Sequence, residues 1–135
     1  MIISLKNLTI LIVDDDADTC HLLRSVLEEA GACVLVARSV SAALDTFRRS
    51  PPHAVVADIQ LGDSDGYALI KAIRQHNIEY RGFTLAIAVT GFACPEDEER
   101  AMAAGFDVYL RKPIDLTGVV DTIAEVLHRP DELAA

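Results

Sequence analysis

Tryptophan is missing, and aromatic residues make up only 5% of a chain that is 51% hydrophobic, so the core must come mainly from Val, Ile, Leu and Ala. Such a core suits a parallel sheet covered by helices, whose strands are buried on both faces. Cysteine is scarce too: Cys20, Cys33 and Cys94 are odd in number, far apart, and lack C-x-x-C or Cys/His ligand spacing. They are expected to be buried or half-buried thiols in a reducing compartment, with no disulfide framework. No apolar run approaches the ~20 residues of a membrane span. The start, Met1-Ile2-Ile3-Ser4-Leu5-Lys6, has no long apolar core or small-residue cleavage site of a secretory signal. A soluble, cytoplasmic chain with no membrane partner is the expectation. Positive charge is also in short supply: 12 Lys and Arg against 21 Asp and Glu leave a formal charge of −9. An acidic surface repels nucleic acid and anionic lipid, which excludes both as direct partners.

The 135 residues fit one domain, with its core over about 8–128 and short extensions at each end. Two short apolar runs stand out because each stops on carboxylates. Leu8 to Val13 ends on Asp14, Asp15 and Asp16, and Ala54 to Ala57 ends on Asp58. Runs of this length read as strands buried on both faces. A weaker run covers Val34 to Ala37; Leu85 to Val89 ends on Thr90-Gly91, and Val108 to Leu110 leads to Lys112-Pro113.

Helical spacing fills the gaps. It begins near Asp18 (Cys20, Leu23, Val26, Leu27, stopping at Gly31) and again after Ser39 or Ser41 (to Pro51-Pro52). A third helix follows Gly66 and fades in the polar segment 75–82. The fourth runs from Pro95 to Gly105 with an acidic first turn, Glu96 to Glu99, that complements the helix dipole. The last follows Asp115 or Thr117. Five strands alternating with five helices predict a doubly wound (βα)5 parallel sheet with helices on both faces. Sites in such folds lie beyond the carboxyl ends of the strands, where the polar residues of interest fall.

If the first and third strands are neighbours, Asp14, Asp15 and Asp58 converge. Two like charges about 4 Å apart repel by roughly 4 kcal/mol at an effective dielectric of 20, so three carboxylates need a cation or a raised pKa. An all-oxygen set with few protein donors suits Mg²⁺. Across the same mouth the fourth strand brings the Thr90 hydroxyl and the fifth brings Lys112. A carboxylate, a divalent metal, a hydroxyl donor and a fixed cation are the parts that neutralise a phosphoryl group in transfer.

Asp14-Asp15, Asp58 followed by Leu61 and Asp65-Gly66, Val89-Thr90-Gly91, then Tyr109 and Lys112-Pro113, resemble in order and spacing the receiver domain of two-component response regulators. The resemblance implies a flavodoxin-like fold, a five-stranded parallel sheet in the order 2-1-3-4-5 with helices on both faces, and that Asp58 is the phosphoacceptor, charged by a sensor histidine kinase or phosphotransfer protein. It implies Mg²⁺ ligation by Asp15, Asp58 and the Gln60 backbone carbonyl, with Asp14 acting through water, and contacts from Thr90 and Lys112 to the phosphoryl oxygens. Tyr109 would turn inward when Thr90 moves, reshaping the surface of the fourth helix, fifth strand and fifth helix that a downstream protein target, or a parent hybrid kinase, would read. The resemblance also implies that Gln60 and Phe92 occupy the two variable positions that in the family tune hydrolysis of the aspartyl phosphate. By the same resemblance the chain is a regulatory phosphoacceptor, catalysing only its own phosphorylation and dephosphorylation. A homodimer through the last α/β face is compatible with it. Two residues depart from the family pattern: Gly62 stands where Pro is usual, and Gly91 where Ala is common.

Other readings fare worse. Asp14-x-Asp16-x-Asp18 has the opening spacing of an EF-hand loop, but Thr19 replaces the turn Gly and Ser25 the bidentate Glu. A haloacid-dehalogenase-type phosphohydrolase needs D-x-D-x-[TV], and Asp18 occupies the last place. An FMN carrier of this topology needs a Ser, Thr and Gly phosphate cradle where this first loop is acidic.

Overall fold

The computed structural model describes residues 4–61, 64–91 and 95–127. Phe92, Cys94, Gly62 and His128 lie outside them. Strands β1 (Thr9–Val13), β2 (Cys33–Ala37), β3 (Ala54–Asp58), β4 (Leu85–Thr90) and β5 (Val108–Arg111) form one sheet in the order β2-β1-β3-β4-β5. Every pairing is parallel. Helices α1 (Ala17–Glu29), α2 (Val40–Arg49), α3 (Gly66–Tyr80), α4 (Pro95–Ala104) and α5 (Leu116–Leu127) connect or follow the strands.

Side chains alternate across a strand, so each central strand feeds two cores. Ile10, Ile12, Ala54, Val56, Leu85, Ile87 and Val89 pack on the face covered by α1 and α5 (Leu23, Leu27, Val119, Ile123). Leu11, Val13, Val55, Ala57, Ala86 and Ala88 pack on the face covered by α2, α3 and α4 (Phe47, Leu69, Ile70, Ile73, Ala101). Every residue of β3 and β4 is buried, whereas β2 and β5 lie at the sheet edges and are half-buried.

The edges correct one expectation. Cys20 is buried, but Cys33 is exposed, because it opens edge strand β2 and has a neighbour strand on one side only. A second difference is the length of α3, which does not fade after Gln75 but continues to Tyr80. Arg74 is engaged rather than solvated: it donates to the Gly105 carbonyl (2.8 Å), the Thr84 carbonyl (2.7 Å), Asn77 Oδ1 (2.9 Å) and Asp107 Oδ2 (2.7 Å). His76 sits between Phe47 and Tyr80, ring centroids 4.9 and 4.6 Å away. Leu5, ahead of the first predicted strand, is fully buried, and its N–H donates to the Ala30 carbonyl at 2.7 Å.

Helix boundaries follow their caps. Asp16 accepts from the Asp18 N–H (3.1 Å) and the Thr19 hydroxyl (2.7 Å), Ser39 from the Ala42 N–H (3.1 Å), and Asp115 from the Gly118 N–H (3.2 Å), each supplying an acceptor to an otherwise unpaired donor. After α4, Gly105 takes a φ of +124°, the region that favours glycine. Between β3 and α3, Gln60–Leu61 pairs antiparallel with Ser64–Asp65 in a two-residue ladder absent from the sequence-based expectation. Gly66 closes that turn against the main chain: a Cβ there would lie 2.7 Å from the Ile59 Cα, so no larger residue fits without moving backbone.

Candidate functional site

The site is assembled by strand register. Val13 pairs with Ala57 and Asp58 with Val89, so β1, β3 and β4 end at one level and deliver Asp14, Asp58 and Thr90 side by side. Thr90 pairs with Arg111, and the Lys112 N–H donates to the Thr90 carbonyl at 2.8 Å, which places Lys112 one residue beyond β5 over the same mouth. Arg111, alternating away, is exposed. The Lys112–Pro113 peptide bond is cis.

Lys112 Nζ lies 3.0 Å from Asp58 Oδ2 and 3.3 Å from Asp14 Oδ2. Asp14, Asp58 and Thr90 are all buried, and Asp15 is exposed at the rim. Carboxylate oxygens of Asp14, Asp15 and Asp58 lie within 4.8 Å of one another, the one such group among the described residues that could hold a metal ion. The three carboxylates face one ammonium, so negative charge is in excess. The first loop is held by the Asp14 N–H to the Ala37 carbonyl (3.2 Å), the Asp16 N–H to Asp14 Oδ1 (2.9 Å) and Arg38 Nη2 to the Asp15 carbonyl (2.7 Å).

The protonation equilibria reflect this packing. Burial pushes the Asp14 carboxyl above its ordinary value, and the Asp58 charge adds to it, against the opposing Asp16 N–H and Lys112. For Lys112, burial alone would lower the ammonium, but the hydrogen bond and charge of Asp58, with Asp14, outweigh it and hold it above its usual value. Burial, then the Asp14 charge, raises the Cys20 thiol, which donates to the Asp14 carbonyl at 3.4 Å and is thereby kept from reactivity.

An acid whose folded pKa is raised binds its proton more tightly in the folded than in the unfolded chain. Its ionised form therefore costs stability above the folded pKa, and that cost disappears as pH falls through it toward the unfolded value near 3.9. Asp14→Asn is accordingly expected to raise the melting temperature by a few degrees at pH 7 in EDTA. The gain should shrink on acidification. Thermal melts across pH check both parts, and a variant that melts lower than wild type at pH 7 would refute the balance.

Tyr109 is half-buried against the core face of α3 and α4, and burial followed by the charge of Asp97 raises its hydroxyl. Tyr67, at the start of α3, lies under the Arg100 guanidinium of α4, 4.7 Å from ring centroid to Cζ. The backbone of Gln60 lies in the two-residue ladder directly after β3, and Phe92 falls outside the described residues. Among the described residues a Cβ at Gly91 would meet nothing within 4 Å. No helix among the described residues is long and apolar enough to cross a membrane. Arg38 and Arg74, both prominent here, carried no signal in the sequence: an arginine that donates to backbone carbonyls across the fold reads like any solvated polar residue.

A doubly wound parallel sheet whose strand ends gather acids, a hydroxyl and a lysine defines the class of CheY-like receiver folds. The chain belongs to the response regulator receiver domain family, whose pattern it matches over residues 10–124. It is similar to a two-component response regulator from Clostridium difficile (TM-score 0.84, 28% identity, covering 91% of this chain and 98% of that one). A CheY-like receiver domain from Methanospirillum hungatei matches with a TM-score of 0.79 and 29% identity, covering 96% of this chain and 98% of that one. In sequence it is 34% identical over 119 residues to the polar-differentiation response regulator DivK of Brucella ovis, covering 88% of this chain and 95% of DivK. It is also 42% identical over 113 residues to an uncharacterized 14.6 kDa protein in the sodA1 3' region of Leptolyngbya boryana, covering 83% of this chain and 84% of the other. The family is a regulatory one, and its strand order is the one predicted.

Proposed function

We propose that the chain is a phosphoacceptor signalling domain in which Asp58 takes a phosphoryl group from a phosphohistidine of a sensor histidine kinase or phosphotransfer protein. The observation that carries this is the pairing of Lys112 Nζ with Asp58 Oδ2 at 3.0 Å inside a cluster of three carboxylates. A Lys–Asp pair alone is a salt bridge; the excess carboxylate around it is the chemistry that a divalent cation would neutralise.

The donor set fits Mg²⁺, an all-oxygen cluster open to solvent at Asp15. Asp15, Asp58 and the Gln60 carbonyl would hold the ion, with Asp14 acting through water. Bound there, it would neutralise charge on the phosphoryl oxygens. An Asp58 carboxylate oxygen attacks phosphorus, the P–N bond to the donor imidazole breaks, and its electron pair returns to that ring nitrogen. Lys112, already beside Asp58, meets the charge of the transferred group, and the Thr90 hydroxyl donates to it. Asp58, Thr90 and Lys112 thus carry the reaction, which modifies the protein itself rather than turning over a substrate.

Thr90 and Tyr109 would pass the change to the surface formed by α4, β5 and α5. Moving a two-state element from 1:99 to 99:1 takes about 5.5 kcal/mol. Two charge-assisted hydrogen bonds, at roughly 1.5–3 kcal/mol each, are of that order. A downstream protein, or a parent hybrid kinase, would read that face; Gln60 and Phe92 would tune the phosphoryl lifetime.

Incubation with a small phosphodonor and Mg²⁺ is expected to add the mass of one phosphoryl group. Removing the metal with EDTA should slow uptake roughly a hundredfold or more, since charge neutralisation by a metal contributes several kcal/mol to such transfers. Uptake at an equal rate in EDTA would refute the metal-dependent reading.

A further inference from the structure

Arg38 lies just beyond β2, on a loop that contributes none of the proposed reacting groups, yet its Nη2 donates to the Asp15 carbonyl at 2.7 Å. One other bond holds the same peptide, from the Asp16 N–H to Asp14 Oδ1 at 2.9 Å, and the remaining anchors of the acidic loop act elsewhere. The Asp14 N–H is held by the Ala37 carbonyl, the Asp14 carbonyl by the Cys20 thiol, and the Asp16 carbonyl by the Cys20 N–H at 3.1 Å. Asp14 and Asp58 have buried side chains gripped by Lys112. Asp15 is the exposed member of the carboxylate group, and the contact from Arg38 fixes the peptide on its carboxyl side. A backbone fixed there sets the direction in which the Asp15 side chain leaves the loop.

We propose that Arg38 is a positioning residue for the divalent-cation site: by gripping the Asp15 carbonyl it holds the Asp15 carboxylate facing Asp14 and Asp58. The role rests on the metal reading given above. It also has an internal opponent, because a guanidinium near the cluster repels a divalent cation. If charge were its whole effect, removing it would tighten metal binding; if position dominates, removal loosens it. The sign of the change therefore separates the two.

The test is a Mg²⁺ titration of metal-free wild type, Arg38→Ala and Arg38→Lys, followed by calorimetry or by amide shifts of residues 14–16, with circular dichroism to confirm folding of each. Partners that orient a metal ligand commonly contribute 10–100-fold to affinity, and for this exposed contact the expected loss in Arg38→Ala is about 3- to 10-fold. Arg38→Lys, which keeps the charge and one donor, should recover part of it. Phosphoryl uptake from a small phosphodonor should need proportionally more Mg²⁺ in Arg38→Ala but reach a rate within about twofold of wild type at saturation, as expected when a ligand is misplaced and the reacting groups are intact. Equal or tighter binding by Arg38→Ala would overturn the role, as would a rate loss that saturating Mg²⁺ does not restore. Wild type that binds no Mg²⁺ would instead overturn the metal reading beneath it.

Discussion

Asp58→Asn is expected to take up no phosphoryl group under conditions that modify the wild type fully. An amide oxygen is a far poorer nucleophile than a carboxylate, and removing a covalent nucleophile lowers rates by roughly 10³-fold or more. The substitution is nearly isosteric, and Lys112 keeps Asp14 at 3.3 Å as a partner, so the fold is retained. Intact-mass measurement over a time course reads the loss, and hydroxylamine lability of the wild-type adduct identifies it as an acyl phosphate. A persistent mass increase in the variant would move the acceptor to another acid of the cluster, Asp14 or Asp15, and would sink the assignment of Asp58.

The second large effect is on stability and lies at the opposite end of the sheet. Arg74→Ala removes four hydrogen bonds, three of which join α3 to the start of β4 and to the turn before β5, the fourth being to Asn77 within α3. Thr84, one of the residues whose carbonyl is gripped, is 3% exposed. Leaving buried acceptors without donors costs about 1–3 kcal/mol apiece, so a loss of about 2–4 kcal/mol is expected. Asp107 would keep the Ala86 N–H (2.9 Å) and Thr84 the Asn77 amide (3.1 Å), which limits the damage. Arg74→Lys should restore less than half, because an ammonium cannot reproduce the fork that reaches two carbonyls and a carboxylate at once. Urea unfolding at neutral pH measures both. A loss under about 1 kcal/mol for the alanine variant would mean that water replaces the guanidinium without penalty.

The fold was legible because parallel strands buried on both faces write themselves as unbroken apolar runs, and because the chemistry of this architecture collects where those runs stop. Asp14, Asp58 and Thr90 are each the polar residue that ends a run, Lys112 comes two residues after one, and crossover topology carries it across 54 positions to Asp58. Less was legible where a residue's environment depends on which neighbours a strand has. Cys33 reads as a buried or half-buried thiol, and only its place at the sheet edge exposes it. The later turns of α3 looked too polar to be helical because Arg74 has partners, Gly105 and Asp107, that lie far along the chain. Arg38 escaped for the same reason: a side chain that grips a distant peptide carbonyl is indistinguishable in sequence from one that points into water.

Strand β3 is hydrogen-bonded to β1 on one side and to β4 on the other, with both faces sealed by separate cores. Its last residue therefore rides on the least deformable part of the molecule. A group attached to Asp58 cannot announce itself by shifting the backbone that bears it, for that would break two ladders at once. On the proposed reading any message would leave sideways, through the loops around the rim, with the centre as an anvil and the periphery as the part that rings.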